Sequence, residues 1–144
     1  MASELEVTIL LVEDDPGHAR LVEKNLRRAA IANPIVTLGD GQQAVDYLFG
    51  DGERPGASPL LVLLDLNLPG LDGYQVLERI KADERTRRIP VIVLTTTDDA
   101  REVTRCYELG CGVYITKPVE YEDFSDAIRQ LGLFLSIVTI PNGE

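Results

Sequence analysis

Cysteine and histidine are scarce in this sequence, and their scarcity excludes several kinds of site. The chain has two cysteines, Cys106 and Cys111, and a single histidine, His18. Two thiols without a nearby histidine or cysteine partner form neither a zinc site nor a disulfide framework. We therefore expect both cysteines to be small buried residues. We expect His18 to be a solvated helix residue, not a metal ligand or a phosphodonor.

Positive charge is also scarce. The 144 residues include 14 lysines and arginines against 24 acidic residues, which gives a formal net charge of -10. Nucleic acid requires a basic face on its partner, so we expect no nucleic-acid binding. The small basic group of Arg85, Arg87 and Arg88 is predicted to be a solvated helix end.

Long apolar runs are absent from the sequence. No stretch is long and apolar enough to span a bilayer, and the N-terminal segment carries acidic residues where a signal peptide would carry basic ones. These features predict no membrane association and a cytoplasmic location.

Short apolar runs alternate with amphipathic stretches along the chain. Runs with the length of a strand buried on both faces lie at 7–12, 35–38, 60–64, 91–94 and 113–115. Helical patterns lie at 16–30, from Asp40 to 49, from Asp72 or Gly73 through Ile80, from Asp98 or Asp99 to Gly110, and at about 120–134. In the fourth helix the predicted apolar side is Val103, Cys106, Tyr107 and Leu109.

Five buried strands separated by helices predict an α/β fold with a parallel sheet that is covered on both faces. Right-handed crossovers leave few topologies, and the flavodoxin-like (βα)5 sandwich with strand order 2-1-3-4-5 is the natural one at this length. We expect one domain over residues 1–144, with a core at about 7–133 and a C-terminal extension at 134–144. Reactive groups in such sheets lie at the carboxyl ends of the strands.

Acidic residues follow the first and third predicted strands, which are neighbours in this order. Glu13, Asp14 and Asp65 should therefore converge, and their like charges favour a hard divalent cation with oxygen ligands. We predict a Mg²⁺ site with Asp14, Asp65 and the Asn67 backbone carbonyl as direct ligands and Glu13 as a ligand through water. Asp15 is predicted to be a helix cap.

A hydroxyl and an ammonium follow the fourth and fifth strands on the same rim. Thr95 and Lys117 beside a carboxylate and a metal make a site for a phosphoryl group, because such charge stabilisation is most of what phosphoryl transfer requires. Asp65 is then the nucleophile and forms an aspartyl phosphate. Lys117 could instead pair with Asp65, and the two roles can alternate before and after phosphorylation.

The ordered set is more specific than its parts: Glu13-Asp14, Asp65 in LLDLNLPGLDG, Thr95 in VIVLTTT, and Lys117-Pro118 in YITKP. With this set the chain resembles the receiver domain of two-component response regulators from about Val7 to Leu133. The resemblance implies a histidine kinase as phosphodonor and a receiver that catalyses both the transfer and its own dephosphorylation. It also implies that Thr95 and Tyr114 form a coupled switch, and that Asn67 and Thr97 are at positions that tune hydrolysis of the phosphoryl group. The alternative to the switch role of Tyr114 is an ordinary half-buried aromatic residue in a strand.

The loop at 50–59 and the tail LGLFLSIVTIPNGE are similar to those of single-domain regulators that partner bacterial phytochrome kinases. The receiver uses most of the chain, so we expect output through protein contacts. The apolar tail residues predict a homodimer through the fourth helix, fifth strand and fifth helix, since an exposed patch of this size is rare in monomers. The alternative is a tail folded onto its own domain.

Three other functions remain open from the sequence. A flavodoxin-like module for a nucleotide or flavin would share the fold, but such proteins place a glycine- or hydroxyl-rich phosphate loop after the first strand. Glu13, Asp14 and Asp15 occupy that place here. The other two are a receiver that serves only as a scaffold and a receiver that acts as a phosphate sink.

Overall fold

Five strands alternate with five helices in the computed structural model, which describes residues 7–28, 31–50, 60–96, 99–117 and 120–130. The strands are β1 (Thr8–Val12), β2 (Ile35–Leu38), β3 (Leu60–Asp65), β4 (Val91–Thr95) and β5 (Val113–Thr116). The helices are α1 (Pro16–Arg28), α2 (Gly41–Phe49), α3 (Gly73–Ala82), α4 (Ala100–Glu108) and α5 (Tyr121–Gln130).

The five strands form one parallel sheet in the order β2-β1-β3-β4-β5, which confirms the predicted fold. The register aligns the carboxyl ends of the strands, because Val12 pairs with Leu64, Asp65 with Leu94, and Thr95 with Thr116. Side chains that follow these ends are therefore brought to one rim of the sheet.

Helices cover both faces of the sheet, and successive strand residues face opposite layers. Ile9 and Leu11 belong to the core under α1 and α5, together with Ala19, Val22, Leu26, Phe124 and Ala127. Leu10 and Val12 belong to the core under the other three helices, together with Ala44, Val45, Leu48, Val76, Leu77, Ile80 and Cys106. This burial on both faces explains why the strands are continuous apolar runs.

Aspartates begin several of the helices by accepting hydrogen bonds from the first backbone N–H groups. Asp40 accepts from Gln43 N at 2.8 Å, and Asp72 accepts from Gln75 N at 3.0 Å in a reciprocal capping box. Asp99 caps α4, as predicted for this position. The same helix ends before Gly110, whose φ of 106° is in the left-handed region that favours glycine.

Several boundaries and one helix face differ from the sequence expectations. β1 begins at Thr8, and β3, β4 and β5 each continue one residue further than predicted. The prediction that Tyr107 lies on the buried side of α4 was wrong, because its side chain is 47% exposed. Cys106 is the buried residue of that helix, and Cys106 and Cys111 are both buried free thiols, as predicted.

Other predictions fall outside the described residues. They concern Thr97, Pro118, the end of the first helix at residues 29–30, the loop at 51–59, and the fifth-helix end and tail at 131–144. Arg85, Arg87 and Arg88 are exposed, and they lie in the turn after α3 and not in the helix itself. Among the described helices, none has the length and apolar character needed to cross a membrane.

Candidate functional site

The predicted site residues meet at the carboxyl rim of the sheet. Asp65 is the last residue of β3 and Thr95 the last of β4, while Glu13 and Lys117 directly follow β1 and β5. Backbone bonds continue the sheet past the strand ends: Leu66 N donates to Leu94 O at 3.2 Å, and Lys117 N donates to Thr95 O at 2.7 Å. These bonds hold the neighbouring site residues in register.

Lys117 is the centre of the site. Its Nζ donates to Glu13 Oε1 at 2.7 Å and to Asp65 Oδ2 at 3.1 Å. The three side chains are 10%, 1% and 3% exposed, so this is a nearly buried ion triad. The predicted pairing of Lys117 with Asp65 is therefore present, and the structure adds Glu13 as its second partner.

Burial and the neighbouring charges change the pKa values of Glu13 and Lys117. Burial raises the pKa of the Glu13 carboxyl and outweighs the opposing hydrogen bond from Lys117, while the nearby Asp65 carboxylate raises it further. Burial alone would lower the pKa of Lys117, but the hydrogen bond to Glu13 and the charge of Asp65 raise it overall. Lys117 is thus a firmly charged ammonium at neutral pH.

Both carboxylate oxygens of Asp65 accept hydrogen bonds. Oδ2 accepts from Lys117, and Oδ1 accepts from the backbone N–H of Asn67 at 2.9 Å. Helix α3 begins close behind, where a Cβ on Gly73 would lie 2.4 Å from Asp65 O. Glycine at position 73 therefore allows α3 to support the backbone of Asp65 directly.

Carboxylate oxygens of Glu13, Asp14 and Asp65 lie within 4.8 Å of one another. Asp14 is exposed while the other two are buried, so the cluster opens to solvent on one side. Hard oxygen ligands with room for water match the preference of Mg²⁺, which usually takes one or two carboxylates and keeps several waters. The cluster therefore fits a divalent cation such as Mg²⁺, as predicted.

Asp15 behaves as a helix cap, as predicted. Its Oδ1 accepts from Gly17 N at 2.8 Å and from His18 N at 3.1 Å. Its own N–H donates to Glu13 Oε2 at 3.1 Å, so the start of α1 is tied to the buried carboxylate.

His18 touches the site, which the sequence analysis missed. Its side chain is 48% exposed, as predicted, but Nδ1 lies 3.3 Å from Lys117 Nζ and 3.8 Å from Glu13 Oε2. The sequence position of His18 could have indicated this contact, because His18 is in the first turn of the helix that begins at the same rim.

Thr95 and Tyr114 lie on adjacent strands near the site. Thr95 is 1% exposed at the end of β4. Tyr114 pairs in register with Val93 and packs, half-buried, against the core under α2, α3 and α4. Both placements are compatible with the predicted switch, whose operation stays a prediction.

Comparison with known protein families agrees with this geometry. Residues 9–129 match the family described as the response regulator receiver domain. The chain belongs to this family. As a receiver it is a phosphorelay response regulator, and the flavodoxin-like cofactor-binding alternative is not favoured.

Individual receivers are similar over almost their whole length. A receiver domain from Rhodospirillum rubrum is 55% identical, with 95% of this chain and 99% of that chain covered and a TM-score of 0.74. The bacteriophytochrome response regulator AtBRR is 41% identical, with 99% and 100% covered and a TM-score of 0.82. These similarities confirm the resemblance to regulators of bacterial phytochrome systems.

Response regulator Rcp1 from Synechocystis is 40% identical over 135 residues, which is 92% of each chain. A solved structure of Rcp1 is of its Mn²⁺-bound form; it is 39% identical and covers 93% of this chain and 98% of that chain with a TM-score of 0.73. A related receiver therefore binds a divalent cation, in agreement with the acidic cluster found here.

Proposed function

We propose that this receiver accepts a phosphoryl group on Asp65 from a phosphohistidine donor. A carboxylate oxygen of Asp65 forms the new bond to phosphorus, and the donor imidazole leaves with the electrons of the broken P–N bond. Water later attacks phosphorus, releases inorganic phosphate and regenerates the carboxylate. The observation that carries this proposal is the buried Asp65 carboxylate, 3.1 Å from the ammonium of Lys117 and beside two further carboxylates.

Lys117 and Thr95 are proposed to stabilise the transferred group. The ammonium already lies against Asp65 and donates to carboxylate oxygens of the same pocket. An N–H group can therefore turn from a carboxylate oxygen to a phosphoryl oxygen after only a small movement. The Thr95 hydroxyl is proposed to donate to another phosphoryl oxygen. Both residues thereby assist transfer to Asp65 and the later dephosphorylation.

We propose that Asp14, Asp65 and the Asn67 backbone carbonyl are the direct Mg²⁺ ligands, with Glu13 bound through water. When bound, the cation supplies positive charge that offsets the carboxylates and the transferred phosphoryl group. Thr95 and Tyr114 are proposed to rearrange together after transfer, as a bistable element biased by the new charge.

The proposed donor is a histidine kinase of bacterial phytochrome type, which the similarity to AtBRR and Rcp1 supports. We further propose one receiver domain over residues 1–144, a cytoplasmic location and output through protein contacts. The net charge of -10 supports a partner other than nucleic acid.

We also propose a homodimer through α4, β5 and α5. Sedimentation of the full chain beside a variant ending near Gly132 tests whether the tail contributes to the dimer. Equal oligomeric states of the two proteins would exclude a role of the tail.

Intact mass after incubation with acetyl phosphate tests the phosphoacceptor. The wild type is expected to gain one phosphoryl group only when Mg²⁺ is present, and Asp65→Asn is expected to gain none. Asp126→Asn is the matched control, because Asp126 is an exposed carboxylate on α5. Equal labelling of Asp65→Asn would refute the assignment, and an unlabelled wild type would favour the scaffold alternative.

A further inference from the structure

The ammonium of Lys117 has a third neighbour besides its two carboxylates. His18 Nδ1 lies 3.3 Å from Nζ, while the Glu13 and Asp65 oxygens lie at 2.7 Å and 3.1 Å. An ammonium has three N–H donors and no acceptor. Three acceptors therefore match its three donors. The two carboxylates are nearly buried, whereas the imidazole is half-exposed.

A hydrogen bond from Lys117 to Nδ1 is possible in only one tautomer of the His18 imidazole. Lys117 can only donate, so Nδ1 must present its lone pair. A neutral imidazole with a free Nδ1 carries its hydrogen on Nε2. Acceptance of this hydrogen bond by Nδ1 thus goes with the Nε2–H tautomer of His18.

Hydrogen bonds of two backbone N–H groups hold the backbone of residue 18 beside the pocket. His18 N donates to Asp15 Oδ1 at 3.1 Å, and Asp15 N donates to Glu13 Oε2 at 3.1 Å. The first turn of α1 is therefore tied to the same buried carboxylate that binds Lys117. His18 is attached to the pocket through its backbone as well as through its ring.

We propose that His18 is a positioning residue for Lys117. Its Nδ1 accepts the third N–H of the ammonium and holds the ammonium against Asp65, ready for an incoming phosphoryl group. This role rests on the proposed phosphotransfer to Asp65. Without the imidazole, that N–H is left to water and the long side chain gains freedom, so phosphotransfer loses part of its preorganised charge.

Nuclear magnetic resonance tests the contact without any phosphorylation. Because His18 is the only histidine, every imidazole signal of the full chain belongs to it. Two-bond ¹H–¹⁵N spectra, recorded about two pH units above the ordinary histidine pKa, are expected to show the Nε2–H tautomer. Lys117→Met should shift the Nδ1 resonance and Lys24→Met, on the exposed side of α1, should not. A dominant Nδ1–H tautomer would overturn the inference.

Phosphorylation kinetics with acetyl phosphate and Mg²⁺ test the role. His18→Ala is expected to slow the reaction by about three- to tenfold, the scale of one lost bond to a charged group that water partly replaces. His18→Asn should recover most of the rate, because its amide Oδ1 is bonded to Cγ like Nδ1 and can accept the same N–H. Leu21→Ala, an exposed apolar truncation on the same helix, should match the wild type.

The outcomes separate this inference from the proposed function. A wild type that takes up no phosphoryl group would refute the phosphotransfer itself. Normal labelling of the wild type with an equal rate for His18→Ala would refute only the positioning role. If His18→Asn is as slow as His18→Ala, hydrogen-bond acceptance by residue 18 is excluded and the inference fails.

Discussion

Replacing Lys117 by methionine should reveal how strongly the ion triad stabilises the protein. Methionine keeps an unbranched side chain of similar length but removes the ammonium that binds Glu13 and Asp65. The carboxylates remain 1% and 3% exposed, so solvent cannot readily replace the lost cation. The expected result is a large loss of stability in metal-free buffer.

The magnitude follows from burial and from the bonds that remain. Removing one partner of a buried pair costs about 3–5 kcal/mol, because the other charge is left buried and uncompensated. Asp65 keeps its bond from Asn67 N at 2.9 Å, and Glu13 keeps its bond from Asp15 N at 3.1 Å. Glu13 can also take up a proton, since burial has already raised its pKa. We therefore expect the lower end, about 3 kcal/mol, or a decrease of about 10 °C in the unfolding midpoint.

Urea unfolding in the presence of EDTA measures this loss, with Lys24→Met as the control. Lys24 is an exposed lysine on α1, and the same substitution there should leave the free energy of unfolding unchanged. Added Mg²⁺ should stabilise Lys117→Met more than the wild type, because ligand binding to the folded state is linked to folding and the carboxylates are no longer shared with an ammonium.

Two results would refute this reasoning. A free energy of unfolding for Lys117→Met equal to that of the wild type in EDTA would show that the triad contributes no net stability. An equal response of both proteins to Mg²⁺ would show that the cation does not bind at the carboxylates paired with Lys117.

Three further perturbations have expected outcomes. The folded-state pKa of Glu13 is raised above its ordinary value of 4.5, so the native protein binds more protons there than the unfolded chain between the two pKa values. Metal-free stability should therefore fall as the pH rises from 4.5 through the folded-state pKa. Urea unfolding against pH should show this slope in the difference in stability between the wild type and Glu13→Gln, and a difference independent of pH would contradict it. Gly73→Ala should cost about 1–3 kcal/mol, since the new Cβ would lie 2.4 Å from Asp65 O; an unchanged thermal midpoint would contradict the close approach. Tyr74→Phe should cost about 1 kcal/mol in urea, because the hydroxyl donates to Glu102 Oε1 at 2.8 Å between α3 and α4; no loss would mean that this bond contributes nothing.

Strand order was predictable because each strand is an apolar run between amphipathic helices. Burial on both faces requires helices on both sides of the sheet, and right-handed crossovers leave few arrangements. The ends of the strands were less predictable. Asp65 belongs to β3 because its backbone still pairs with Leu94, which the change from apolar to acidic side chains does not reveal.

Helix orientation was the weaker part of the sequence prediction. In the fourth helix Val103, Cys106 and Tyr107 share one face at helical spacing, so periodicity did not show which of them the sheet covers. The structure buries Cys106 and exposes Tyr107. In the first helix, periodicity likewise did not show that the exposed residue His18 contacts Lys117.

The sequence by itself determined the fold class, the strand order and the acidic, threonine and lysine residues at the carboxyl rim, because local patterning and chain connectivity suffice for these. The pairing of Lys117 with Asp65 was expected, but only the tertiary structure decided that Glu13 and His18 also lie against the ammonium. Lys117 binds Glu13, Asp65 and His18 across 104, 52 and 99 positions of sequence, respectively. Such partners depend on distances of a few ångströms between packed elements, which composition and periodicity do not contain.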